Sequence, residues 1–408
     1  MDVDHGARAG LRMQFLSPRR SIQARGLFER ISLPTRGDGG ADALQREIEA
    51  GLSRARAAGI GHPIVIGAIP FDAAQPCCLT IPLRHETVSR ERATHRGETF
   101  APWPRQPGVR RASSVPGEAR FKQAVRQAVA NFQHSDIRKA VLSRVLEVEF
   151  ETEPDVAALF ARLIEQNPSA YHFRLPLADG AELVGASPEL LVRREGARLS
   201  SNPLAGSAKR QRDAEQDRRA SELLLRSEKD AHEHRFVIDE IRAALAPLCN
   251  DLDIPAAPSL LGTRAMWHLS TRIEGTLATP PPSALQLACR LHPTPAVCGW
   301  PTRQARKLID LVEPFERGMF TGAVGWCDAD GDGEWVVTIR CGRIHRNRIQ
   351  LFAGAGIVEG SCPDAEWAET QAKLQTMLQA LGIELPADDA ACLPLPAVAP
   401  PSAVEVRA

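Results

Sequence analysis

The first clear pattern along the chain is an apolar run, Pro63-Ile64-Val65-Ile66-Gly67-Ala68-Ile69-Pro70, which predicts a short buried strand. From about Glu118, the residues Phe121, Ala124, Val125, Ala128, Val129 and Phe132 recur at helical spacing. Lys139–Phe150 then alternates, with Leu142, Leu146, Val148 and Phe150 on one face and Lys139, Val141, Ser143 and Val145 on the other. A second helix is predicted over 155–166, stopped by Asn167-Pro168. Strand-like runs follow at 171–176, 182–186 and 190–193, then one long helix over roughly 215–248. The last third predicts a hairpin within 320–341 and a strand over 348–353 that meets a glycine turn, Gly354-Ala355-Gly356. A final helix starts near Asp364, with Ser361 and Pro363 as its N-terminal signals. Trp367, Leu374, Met377, Leu378 and Leu381 form its apolar stripe.

Strands come in runs, with long helices between the runs. That order predicts an α+β fold, a single large two-layer domain of mostly antiparallel sheets flanked by helices, over residues 61–385. Residues 1–60 are rich in Arg, Ala and Gly with little periodicity, and are expected to be a variable, partly disordered N-terminal region. Residues 84–117, polar and Pro-rich, are expected to be a long surface connection. The Ala/Pro-rich residues 386–408 are expected to form a loose tail.

Composition narrows the partners. Lys+Arg and Asp+Glu both number 50, so no whole-protein field favours nucleic acid or an anionic membrane. An anionic small molecule must then be held by local groups. No apolar run reaches spanning length, and the start, MDVDHGARAG, has no secretory h-region. The nine cysteines are odd in number and form no C-x-x-C, which predicts reduced thiols in the cytoplasm. No oligomerisation helix stands out, so a monomer is expected.

Three motifs fail on inspection. Asp328-Ala329-Asp330-Gly331-Asp332-Gly333 begins like a calcium loop, but Ile339 stands where the twelfth-position Glu is required. It reads better as a hairpin turn. Gly354-Ala355-Gly356 lacks the third glycine of a dinucleotide loop, although its N–H groups could still meet an anion. His232-Glu233-His234 cannot converge on zinc, because adjacent helical residues diverge by about 100°.

Glu366, Glu369 and Lys373 share one face of the last helix. Two carboxylates beside an apolar stripe suit a hard cation such as Mg²⁺; a solvated Glu–Lys face is the other reading. Glu233 lies close in angle to the apolar side of its helix, where it needs a cation or another partner unless it is solvated. Lys139 heads the alternating strand, and burial would lower its pKa and make it a usable base; the alternative is a surface lysine. Glu189, in Gly185-Ala186-Ser187-Pro188-Glu189, sits at a turn between two strands. Desolvated there, it would be a general acid.

Many segments resemble one family, the chorismate-utilising enzymes. They are GAIPFD (67–72), KAVLSR (139–144), GASPELL (185–191), SNPLAGSAKR (201–210), SEKDAHEH (227–234) and MWHLST (266–271), then LHPTPAVCGWP (291–301), EPFERGMFTGAVGW (313–326), GEWVVTIRC (333–341) and GAGIV (354–358) followed by EWAET. Within the family the resemblance is to isochorismate synthases of the siderophore-pathway type, over about residues 61–382. It implies Mg²⁺ held by Glu233 and Glu369, with Asp230 and Glu366 one turn earlier as supporting or water-mediated contacts. It implies Lys139 as base for water attack at C2 of chorismate and Glu189 as acid for the departing C4 hydroxyl. Arg340, in the TIRC strand, would grip the enolpyruvyl carboxylate, with Lys373 and the backbone of Gly354 and Gly356 as further carboxylate contacts. Gly206 matches a close backbone approach to the substrate. His268 matches a histidine near the ring, though it could equally be a satisfied core residue. Amine-adding relatives carry glutamine at the Lys139 position, so water is the implied nucleophile and no glutaminase subunit is expected. Ala205 replaces the nucleophilic lysine of the aminodeoxychorismate branch. Ala296 replaces the usual threonine of salicylate synthases, which favours stopping at isochorismate over pyruvate elimination.

Overall fold

The computed structural model describes residues 10–36, 40–89 and 106–384. Its first part runs β1 (Arg12–Leu16), β2 (Arg20–Arg25), β3 (Glu29–Ile31), α1 (Gly40–Ala57), β4 (Ile64–Ile69), β5 (Cys78–Ile81), β6 (Arg84–Ser89) and β7 (Val109–Val115). Next come α2 (Glu118–Phe132), β8 (Lys139–Phe150), α3 (Val156–Gln166), β9 (Tyr171–Pro176), β10 (Glu182–Ser187), β11 (Leu190–Glu195), β12 (Arg198–Asn202) and β13 (Leu204–Lys209). Then follow α4 (Ala214–Arg226), α5 (Glu228–Leu245), β14 (Cys249–Asp253), β15 (Ser259–Gly262), β16 (Met266–Ser270), β17 (Ile273–Leu277) and α6 (Ala284–Leu291). The chain closes with β18 (Gly299–Trp300), α7 (Thr302–Val312), β19 (Ala323–Asp328), β20 (Gly333–Val337), β21 (Cys341–His345), β22 (Arg348–Ile357) and α8 (Pro363–Leu381).

Two large antiparallel sheets carry the fold. The larger has the order β18-β8-β22-β21-β10-β9-β1-β2-β6, with β7 also on β8; the smaller has β14-β17-β12-β11-β20-β19-β4-β5-β3. They face each other across a core that includes Phe15, Ile22, Val145 and Phe173 from one and Ile66, Trp326 and Val336 from the other. Helices α1, α5 and α6 cover the outside of the smaller sheet, and α3 and α8 cover the larger. The α+β expectation of antiparallel sheets flanked by helices therefore holds. β8 alternates as predicted: Leu146, Val148 and Phe150 face helices while Val145 faces the other sheet.

Four local expectations are corrected. Residues 12–57 are not a loose extension: β1 and β2 join the larger sheet, and β3 the smaller. The pattern was hidden because Met13, Phe15, Ile22 and Ala24 fill the core from between exposed or half-buried Arg and Gln, in strands too short to show a period. The 84–117 connection likewise begins and ends in strands, β6 and β7; residues 1–9 and the tail from 385 lie outside the described residues. The helix predicted over 215–248 is two helices, because Ser227 is extended and its hydroxyl accepts from the Asp230 N–H at 3.2 Å, capping α5. Finally, Gly354-Ala355-Gly356 is no turn: all three lie in β22, opposite Ser143, Leu142 and Val141 of β8.

Candidate active site

Val141, Glu189, Gly206, Glu233, His268, Ala296, Arg340, Gly354, Gly356, Glu369 and Lys373 line one cavity. Lys139 stands behind its wall. Asp230 and Glu366 do not line it.

Two of these residues sit where the chain crosses between sheets. Glu189 follows β10 of the larger sheet and precedes β11 of the smaller; Arg340 follows β20 of the smaller and precedes β21 of the larger. Arg340 is thus at a bend rather than within a strand as expected, with φ of 51°. That left-handed conformation is costly for a residue with a Cβ and persists only where the surroundings impose it. Both side chains are buried. Burial pushes the Glu189 carboxyl up to about 7, despite a 3.3 Å hydrogen bond from the Leu204 N–H and the charges of Lys139, Lys373 and Arg340. It is half-protonated near neutrality, as a general acid should be. Burial also lowers Arg340 to about 10, which leaves it charged.

Arg340 Nη2 donates to His268 Nε2 at 3.3 Å. Burial, then the charges of Arg340 and Lys373, hold His268 well below its ordinary pKa, so it is neutral with its ring proton on Nδ1. It is a cavity residue and an acceptor for Arg340.

The carboxylates come from the first two turns of α5 (Asp230, Glu233) and of α8 (Glu366, Glu369), where helix dipoles favour negative charge. α8 starts at Pro363 with Cys362 at its cap, while the Ser361 hydroxyl accepts from the Val358 N–H. Lys139 is fully buried, and its Nζ lies 2.9 Å from Glu233 Oε1. Lys373 Nζ lies 2.6 Å from Glu369 Oε1 and donates to the Gly354 carbonyl at 2.8 Å. Burial would raise Glu369, but the Lys373 ammonium holds it below its ordinary pKa. Burial and the Glu369 charge raise Glu366, which pairs with Lys229 at 2.8 Å and so ties α8 to α5. Asp230 is raised by burial and by Glu233 and Glu369, and its carboxylate accepts from the Ser227 hydroxyl.

Four carboxylates feel one another's charge here, and among the described residues no three His, Cys, Asp or Glu side chains close into a metal cage. Hard oxygen donors of this kind fit Mg²⁺, which takes one or two carboxylates and fills its remaining positions with water and ligand oxygens.

The glycines keep the space open. A Cβ on Gly356 would lie 2.2 Å from Glu233 Oε1 and 3.1 Å from Lys139 Cε; one on Gly354 would lie 2.6 Å from Ser143 Oγ. Gly206 has φ of 79°, and a Cβ there would meet Asp230 Cβ at 2.9 Å. Sequence reasoning missed Ser207, Thr321 and Ile339 in the lining, and the Lys229–Glu366 pair. It also missed the buried pair Glu313–Arg317, which lies in irregular chain after α7 and carried no periodic signal.

The family described as chorismate binding enzyme matches residues 82–382. The chain belongs to this family, within its isochorismate synthases of siderophore type. Over 373 residues it is 44% identical to the isochorismate synthase EntC of Escherichia coli K12, covering 91% of this chain and 95% of that protein. That span is longer than residues 61–382 and takes in part of the N-terminal region. It is 41% identical over 384 residues to the isochorismate synthase DhbC of Bacillus subtilis, covering 90% and 93%. Its fold matches the crystal structure of the 2,3-dihydroxybenzoate-specific DhbC of Bacillus anthracis with a TM-score of 0.84 at 41% identity, covering 91% of this chain and 96% of that one.

Proposed function

We propose that this chain converts chorismate to isochorismate, reversibly and with Mg²⁺, to supply siderophore synthesis. The observation that carries the mechanism is a buried cavity carboxyl with a pKa of about 7, Glu189, together with a buried lysine, Lys139, just behind the cavity wall at Gly356.

Lys139 takes a proton from water as its oxygen bonds to C2 of the ring. The ring double bonds shift, the C4–O bond breaks, and Glu189 gives its proton to the departing hydroxyl. Hydroxide is a poor leaving group, so an acid on that side is chemically required. Arg340 receives the enolpyruvyl carboxylate in its planar fork, with Lys373 as a second cation. His268 fixes the guanidinium from the other side. Glu233 and Glu369 would hold Mg²⁺, with Asp230 and Glu366 behind them; the ion supplies an anchor and Lewis acid for the ring carboxylate. Gly354, Gly356 and Gly206 leave room for the ring, and Ala296 keeps its corner small.

With water as the nucleophile, no glutaminase subunit is needed, and the enzyme acts as a cytoplasmic monomer. No described helix is long and apolar enough to cross a membrane. A second reading, elimination of pyruvate to salicylate, shares Lys139 and Glu189 and is disfavoured at Ala296. Chromatography of the products from chorismate separates the two: isochorismate supports the proposal, and salicylate with pyruvate as main products sinks it.

A further inference from the structure

One edge of β8 has a gap. β18 pairs with Lys139 and Ala140, and β7 takes over from Val145. Between them, the Val141 N–H reaches the Cys298 carbonyl at 2.9 Å. The next groups on that edge find side chains instead of a strand. Arg317 Nη2 donates to the Val141 carbonyl at 2.7 Å, and the Ser143 N–H donates to Glu313 Oε1 at 2.7 Å.

Glu313 and Arg317 are themselves a bidentate pair, Nε to Oε2 at 2.8 Å and Nη2 to Oε1 at 2.5 Å, almost wholly buried. Arg317 Nη1 donates to the Val297 carbonyl at 2.8 Å and to Thr321 Oγ1 at 3.3 Å. All five N–H bonds of the guanidinium are thereby used. The Phe71 ring lies against it, 4.4 Å from Cζ to the ring centroid. Val141, Val297 and Thr321 all line the cavity, but Glu313 and Arg317 do not.

We infer that Arg317, oriented by Glu313, is a positioning residue for the reaction, an inference that rests on the function proposed above. One planar group sets the distance between the strand carrying Lys139, the turn carrying Ala296 and the turn carrying Thr321. Lysine has three donors on a flexible stem and cannot span these acceptors at once. A misplacement of about 1 Å between base and substrate is enough to cost about 10²-fold in rate.

The test is steady-state kinetics of Arg317→Lys and Glu313→Gln with chorismate and Mg²⁺, beside Phe15→Ala as a destabilised variant whose side chain does not line the cavity. The inference expects kcat to fall by about 10²-fold in the first two with KM little changed. Phe15→Ala should keep its kcat at temperatures where it is folded. Should Arg317→Lys fail to fold, Glu313→Gln carries the test alone, since it keeps the side-chain size and one acceptor oxygen. Folded variants with wild-type kcat, or a kcat loss matched by Phe15→Ala at equal stability, would overturn the inference. A wild-type enzyme that makes no isochorismate would instead overturn the function it rests on.

Discussion

Glu189 and Arg340 hold each other's crossing in place. The Val337 N–H donates to the Glu189 carbonyl at 3.1 Å, and the Ala186 N–H donates to the Arg340 carbonyl at 3.1 Å. Each bond joins one crossing to the strand of the other, so the two side chains enter the cavity from a doubly tied backbone. The proposed acid and the proposed carboxylate grip are set by sheet geometry rather than by loops, which suits groups that must stay within a fraction of an ångström of a substrate.

That placement makes Glu189 a titrating group with a stability signature. Its carboxyl is raised by burial to about 7, so the folded state binds its proton more tightly than the unfolded chain does. The protonated form is stabilising below the ordinary carboxyl range, and this advantage is lost as pH rises to about 7. Glu189→Gln removes the ionisation. Its unfolding free energy relative to wild type should therefore rise between pH 5 and pH 8, by about 3 kcal/mol at most, with melting temperature rising in the same direction. In the same variant kcat should drop by about 10²–10⁴-fold. A pH-independent difference in melting would contradict the raised carboxyl.

Lys139 and the proposed Mg²⁺ would compete for Glu233, since Lys139 Nζ lies 2.9 Å from Oε1. Lys139→Ala should lose about 10²-fold or more in kcat, as expected for loss of a general base. It should also bind Mg²⁺ more tightly than wild type, because the carboxylate is left without its cation. Calorimetric titration with Mg²⁺ reads the affinity directly. Weaker Mg²⁺ binding in a folded variant would contradict Glu233 as a ligand.

Gly356→Ala should fold, because no positive φ demands glycine there, yet its Cβ would lie 2.2 Å from Glu233 Oε1. Mg²⁺ affinity and kcat should both fall, the latter by about 10²-fold. Retention of both would remove the steric role given to this glycine.

The N-terminal strands are expected to be part of the folding unit. Phe15→Ala empties a position between the two sheets and should cost about 3–5 kcal/mol in denaturant unfolding. A cost below about 1 kcal/mol would return these residues to the status of a loose extension.

What the sequence disclosed and hid follows from how many residues carry each signal. β8 was legible because its twelve residues are long enough to set Leu142, Leu146, Val148 and Phe150 on one face. β1 and β2 are half that length or less, and their buried positions stand among arginines, so no period emerged. Helices α4 and α5 read as one because only a single residue, Ser227, separates them. Gly354 and Gly356 suggested a turn because glycine's commonest use is conformational; here its use is to omit a side chain, which only the neighbours Glu233 and Ser143 reveal. The site itself was readable as separate residues on separate segments. That Glu189 and Arg340 share two hydrogen-bonded crossings, and that Lys139 meets Glu233, depends on pairings far apart in sequence.

The most direct test of the central claim is the product made from chorismate by the purified protein with Mg²⁺, resolved by chromatography. Isochorismate in equilibrium with chorismate, without release of pyruvate, is the predicted result. Salicylate and pyruvate as the main products, or chorismate left unchanged, would contradict it.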